Sequence, residues 1–226
     1  MTGVVVRLLP SFGMGGATMA EFTRGKNGTA LIDRHPVLLT LFGARHPALS
    51  FLFAGPLLAV LVAYAWRSGR GAGSVAVEIV AGLAYWSLFE YVFHRWFYHW
   101  RPKGAALRQM VESFHVYHHR NPADRRVYNA GPLLALSVTT VLGAPLLAAG
   151  LPEPTVATVM IGTVAGYWFY EWCHYLFHVR TFARGWLARM QRLHLFHHNG
   201  TWASNFGVTN PFWDKLFRTM RDPNGR

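Results

Sequence analysis

Apolar residues fall into four long blocks along this chain, at 48–66, 72–93, 130–149 and 155–173. A helix needs about 20 mostly apolar residues to cross a bilayer, and each block comes close to that. Glu78, Glu90 and Glu171 are the only charged residues inside them. Gly69, Gly71 and Gly73 break the first pair of blocks, and "GLPEP" (150–154) breaks the second, because Pro152 and Pro154 cannot continue a helix. The pattern predicts an all-α integral membrane protein, with four transmembrane helices arranged as two hairpins. The motif "GTVAG" (162–166) has the small-xxx-small spacing of close helix packing.

The blocks place the polar sequence at the termini and between the hairpins. Residues 1–47 form an N-terminal segment that precedes the membrane domain, 48–226. The first 25 residues are glycine-bearing and terminal, which predicts partial disorder. "MTGVVVRLL" lacks the basic start and continuous apolar run of a signal peptide, and Met14 and Met19 are alternative starts.

Composition agrees with the blocks. Hydrophobic residues make up 52% of the 226 and charged ones 14%, against roughly 25% charged in soluble domains. The formal charge of +12 would suit nucleic acid, but so apolar a chain excludes that class, and anionic lipid headgroups are the partner it implies. Lysine and arginine number five in 1–47, seven in 94–128 and eight in 174–226, against two in 67–71 and none in 150–154. Basic segments stay on the cytoplasmic side, which places both termini and a helical cap there. Cys173 is the single cysteine, so any metal must be held by His, Asp or Glu.

The chemistry is in the histidines. Ten of twelve fall into four clusters: His94 and His99; His115, His118 and His119; His174 and His178; His194, His197 and His198. Positions i, i+3 and i+4 share a helix face, so each triplet presents its rings to one side. His94 and His99, at i and i+5, lie about 140° apart on an ideal helix and converge only where that helix ends or bends. Ten imidazoles exceed one ion's ligand shell, and two ions with four or five each fit the number. Imidazole suits iron, zinc, copper and nickel alike. His35 and His46, isolated before prolines, are read as non-ligands. Glu90 and Glu171, one turn before His94 and His174, are positioned to accept the second N–H of a ligating imidazole. The halves repeat: Tyr-Trp, Glu, a histidine pair, then a triplet, with 16 residues from His99 to His115 and from His178 to His194.

This series resembles the histidine boxes of the fatty acid hydroxylase/sterol desaturase superfamily of membrane di-iron oxygenases. "FEYVFHRWFYH" (89–99), "YEWCHYLFH" (170–178) and "NFGVTNPFWDKLF" (205–217) look most like fatty acid 2-hydroxylases. The resemblance implies that the ten clustered histidines hold two iron ions in the cytoplasmic cap, with zinc possible in purified protein. It also implies dioxygen as co-substrate, a lipid acyl chain as substrate, and a supporting role for Asp214. Relatives carrying a cytochrome b5 domain have an electron source that this chain leaves no room for. A separate cytochrome b5-, ferredoxin- or flavoprotein-like donor is therefore expected. Carotenoid or sterol/hopanoid oxidation by similar boxes is the alternative within the enzyme class. A non-redox membrane metal-binding protein or a bis-histidine cytochrome is the alternative outside it. Histidines beyond the span ends disfavour a transporter, and ten ligand candidates exceed what two haems need.

Overall fold

The computed structural model describes residue 37 and residues 41–100, 102–105 and 115–222. The expectations for residues 1–25 and for His35 lie outside the described residues. The described chain is mostly helical. Helix α1 spans Pro47–Arg67, α2 Ala72–Val92, α3 Tyr117–Arg120, α4 Pro132–Ala148, α5 Glu153–Val179, α6 Gly185–Asn199 and α7 Phe212–Leu216. Helices α1, α2, α4 and α5 overlie the four apolar blocks. Taken with the turn that extends it, α2 (Ala72–Tyr98) is long and apolar enough to cross a membrane.

Local chemistry sets the helix ends. His46 caps α1, its Nδ1 accepting from the Ala48 amide at 3.1 Å with Pro47 in the first turn, and its ring lies edge-on to Trp172 and Tyr175. That occupies His46 structurally, as a non-ligand. The hairpin turns need left-handed residues, which Gly69 (φ +64) and Gly150 (φ +78) supply without a Cβ penalty. Arg70 of the first turn pairs with Glu78, so the deepest acid in α2 reaches back to the turn.

Helix α5 is the most buried and packs against α1, α2 and α4. The core between them includes Trp86, Val138, Leu142, Met160, Val164 and Tyr167. The outer faces stay apolar: Val60 is 65% exposed, Val77 69% and Leu136 59%. Contiguous exposed apolar surface on that scale calls for lipid or a partner. A second core cluster, with Cys173, Phe177, Met190, Leu193 and Val208, joins α5 to α6 and the C-terminal tail. A two-residue antiparallel pairing, β1 (Gly43–Ala44) with β2 (Asn129–Ala130), ties the segment before α1 to the entrance of α4.

Glycine allows the central contact. A Cβ on Gly82 would lie 2.0 Å from the Val159 carbonyl oxygen, and one on Gly162 would lie 2.0 Å from that of Ile79. "GTVAG" therefore does serve backbone approach between α2 and α5. Gly82→Leu is expected to lower the thermal stability of the detergent-purified protein by at least ~1–3 kcal/mol, as overpacking does. Gly143→Ala, whose Cβ would meet nothing closer than 3.8 Å, should leave it unchanged.

Candidate metal centre

The four histidine clusters converge, and the reason begins with helix geometry. Helix α2 runs on into a π-helical turn, Phe93–Tyr98. Its i→i+5 hydrogen bonding brings residues five apart round to one side, and the His94 and His99 rings stack 5.3 Å apart. The bend that the i, i+5 spacing requires is thus a change of helix type. His174 and His178 extend from the end of α5, and His194, His197 and His198 from the last turns of α6.

The ten rings sort into two groups of five, and within each the candidate ligand nitrogens lie within 4.8 Å of one another. One group is His94, His99, His115, His119 and His197; the other is His118, His174, His178, His194 and His198. Each triplet is therefore divided. Its first and last members join the pair from their own half, and its middle member, His118 or His197, crosses to the other. The sequence expectation of one shared direction per triplet is too coarse. Positions i+3 and i+4 fall on opposite sides of position i, at about −60° and +40°, so a triplet lying between two centres serves both. The groups touch where His119 and His198 stack at 4.1 Å.

The nitrogen positions fit a cation in each group. His94 Nδ1 donates to the Phe206 carbonyl at 2.5 Å, His174 Nδ1 to that of Tyr128 at 2.6 Å, and His197 Nδ1 to that of Ser204 at 2.6 Å. Those bonds leave each ring a bare Nε2 facing inward. There His115 Nε2 lies 2.8 Å from both His94 Nε2 and His119 Nε2, and His118 Nε2 lies 3.1 Å from both His174 Nε2 and His178 Nε2. One ring nitrogen carries one proton at most, so it cannot donate well to two others. With a metal–nitrogen bond of about 2.0–2.1 Å, neighbouring ligands of one ion stand about 3.0–3.4 Å apart, close to these separations. The His198 Nε2, buried without a hydrogen-bond partner, would be satisfied in the same way.

Electrostatics keep the rings ready to ligate. Burial first, and neighbouring imidazoles second, push His118, His119, His194 and His198 well below the ordinary histidine range. The same causes, with His99 the strongest neighbouring influence, bring His197 to about 3. Neutral imidazole is the ligating form.

Glu90 and Glu171 hold backbone and side-chain donors rather than the imidazole N–H groups that the sequence suggests, and Asp214 also holds backbone amides. Glu90 does not meet an imidazole: Oε1 accepts from the Val208 and Thr209 amides at 2.6 and 2.8 Å, and Oε2 from the Thr209 hydroxyl at 2.6 Å. Asp214 accepts from the Phe206 and Gly207 amides at 2.9 and 2.7 Å and from the Thr219 hydroxyl at 2.8 Å. Together they clamp residues 206–209, whose Phe206 carbonyl orients His94. Burial raises Asp214 above the usual carboxylate range against the pull of these donors. Glu171 does the equivalent for the other group. Its Oε2 accepts from Asn129 Nδ2 at 2.6 Å and from the Ala130 amide at 3.1 Å, next to the Tyr128 carbonyl that orients His174. Sequence reasoning passed over Asn129 and Thr209, and over the carbonyls of Tyr128, Ser204 and Phe206. A backbone oxygen leaves no mark on residue type. Trp202 covers the edge of both groups, its ring 4.9 Å from His119 and its Nε1 donating to the His198 carbonyl at 3.2 Å.

Known proteins resemble this chain to different extents. A sequence model described as fatty acid hydroxylase matches residues 79–219, more than half of the chain. The chain is 33% identical over 150 residues to the ceramide very long chain fatty acid hydroxylase scs7 of Schizosaccharomyces pombe, covering 65% of this chain and 43% of that protein. It is 31% identical over 144 residues to the fatty acid 2-hydroxylase of Homo sapiens, covering 62% and 38%. With the dihydroceramide fatty acyl 2-hydroxylase FAH1 of Arabidopsis thaliana it shares 29% over 145 residues, covering 63% and 60%. The chain thus spans about two fifths of the length of the first two. Among solved structures, full-length scs7p, with only its hydroxylase domain visible, superposes with a TM-score of 0.69 at 23% identity, over 91% of this chain and 78% of that one; the fold is shared. The match across the histidine boxes and the clamping tail places this chain in the fatty acid hydroxylase family.

Proposed function

We propose that this protein is an O2-dependent di-iron membrane monooxygenase that hydroxylates a lipid acyl chain, most simply at C2, with electrons from a separate donor protein. The observation that carries this reading is the pair of five-imidazole groups with inward bare nitrogens, joined to membership in a family whose relatives are named as fatty acid and ceramide hydroxylases. His94, His99, His115, His119 and His197 would hold one ion, and His118, His174, His178, His194 and His198 the other. Two bound irons would activate dioxygen, the oxidant that an unactivated C–H bond demands. The protein's own part is to keep buried imidazoles neutral and to fix the rings of His94, His174 and His197 through backbone carbonyls.

Helices α1, α2, α4 and α5 are read as four membrane spans, supported by the length and apolar character of α2 with its extending turn and by the exposed apolar faces of α1, α2 and α4. The basic asymmetry supports a cytoplasmic metal site and cytoplasmic termini, with residues 1–47 a segment apart from the membrane domain 48–226. Expression in a host without 2-hydroxy acyl lipids is expected to produce them, and His174→Ala should abolish them. Purified protein should carry about two metal ions per chain. Unchanged acyl lipids alongside a fully metallated protein would end this reading.

A further inference from the structure

Two small cavities lie between the histidines and the core of the helix bundle. A cavity of about 50 Å³ touches His115, His118 and His174, and so meets both groups. A second, of about 20 Å³, touches His94 and reaches Trp86, Val138 and Tyr167 in the core of the bundle. The two share Tyr98, Ala130, Leu134, Tyr170 and Glu171 as walls, so they adjoin, and together they mark a path between the histidines and the core. The lining of the second cavity combines His94, Glu90 and Glu171 with the hydrocarbon and aromatic surface of Trp86, Phe89, Leu134 and Val138.

We infer that this path receives the part of the acyl chain distal to the reacting carbon, and that Trp86 and Val138 set the chain length accepted. The inference rests on the acyl hydroxylase reading above. Spaces of 50 and 20 Å³ are slots, so a chain enters by turning flexible side chains such as Leu134 aside. Trp86 is the part that cannot yield. It is 5% exposed and lies so close to α5 that a Cβ on Gly166 would meet its ring at 2.8 Å. Val138 faces the same cavity from α4 and is 7% exposed. One methylene too many or too few in a hydrophobic pocket changes selectivity by about 10-fold or more.

The test uses the full chain in a host supplied with acyl chains of mixed length, with hydroxylated products sorted by length. Trp86→Leu is expected to move the profile towards longer chains and Val138→Phe towards shorter ones. Each should change the ratio between neighbouring even-numbered lengths by about 10-fold. Leu136→Phe, on the exposed face of α4, should leave the profile as it is. A ceramide carrying a diazirine near the end of its acyl chain reads the site without turnover. In the purified wild-type protein it should cross-link within 86–93 and 134–138. Products with unchanged length profiles in both variants, or cross-links elsewhere, would overturn the inference. Cross-links at those segments without any hydroxylated product would uphold the path and sink the proposed reaction instead, and this readout also decides should either variant fail to fold.

Discussion

Alanine at both His118 and His194 is expected to leave one tightly held metal ion per chain, whereas alanine at both His115 and His118 should weaken the hold on two. His118 and His194 come from different triplets but belong to the same group of five. Removing both leaves that group three imidazoles and the other group complete. His115 and His118 are neighbours in sequence but belong to different groups, so each group would keep four. If each triplet served one ion, the two outcomes would be interchanged. Metal content after graded chelator treatment separates them: a retained fraction near one ion with wild-type resistance in the first variant, and early release of both ions in the second. Single variants His118→Ala and His197→Ala should each lower activity by at least ~100-fold, since losing even an outer partner of a ligand costs about 10–100-fold. The two losses should be similar, because the middle histidines occupy equivalent crossing positions.

Glu90→Ala and Glu171→Ala should each cost about 10–100-fold in metal affinity, with the damage confined to different groups. Glu90 holds the Val208 and Thr209 amides and thereby the Phe206 carbonyl that orients His94. Without it, two buried amides lose their acceptor and His94 its alignment. Glu171 stands in the same relation to Asn129, Ala130 and the Tyr128 carbonyl that orients His174. An unsatisfied buried amide costs about 1–3 kcal/mol, so both variants should also melt earlier. Stability alone does not predict which ion goes first. Glu90→Ala should loosen the ion held with His94, so that adding His94→Ala causes little further loss. For Glu171→Ala the non-additive partner should be His174→Ala. Full additivity in both pairs would show that the carboxylates hold only the fold.

Much of this protein was legible from residue order. The apolar blocks overlie α1, α2, α4 and α5, because a run of 19 to 22 mostly apolar residues has few other ways to satisfy its backbone away from water. "GTVAG" marked a close helix contact. His46, alone before a proline, proved to be a helix cap. The i, i+5 spacing of His94 and His99 announced an irregular helix, though its form as a π turn came from the structure. Glu90 and Glu171 were placed correctly along the chain but assigned the wrong partner. The carbonyls they support lie 116 and 43 residues away, at Phe206 and Tyr128, and sequence spacing carries no information about contacts of that range.

Residue order alone was enough for the helical blocks, the ten clustered histidines and their family, since periodicity and residue type act locally. Which histidines share a centre came from the folded chain. One ring in each triplet sits between two groups, and its allegiance depends on where the other half's helices bring their nitrogens. The pairing across halves is a property of packing, and packing is where residues far apart in the chain first meet.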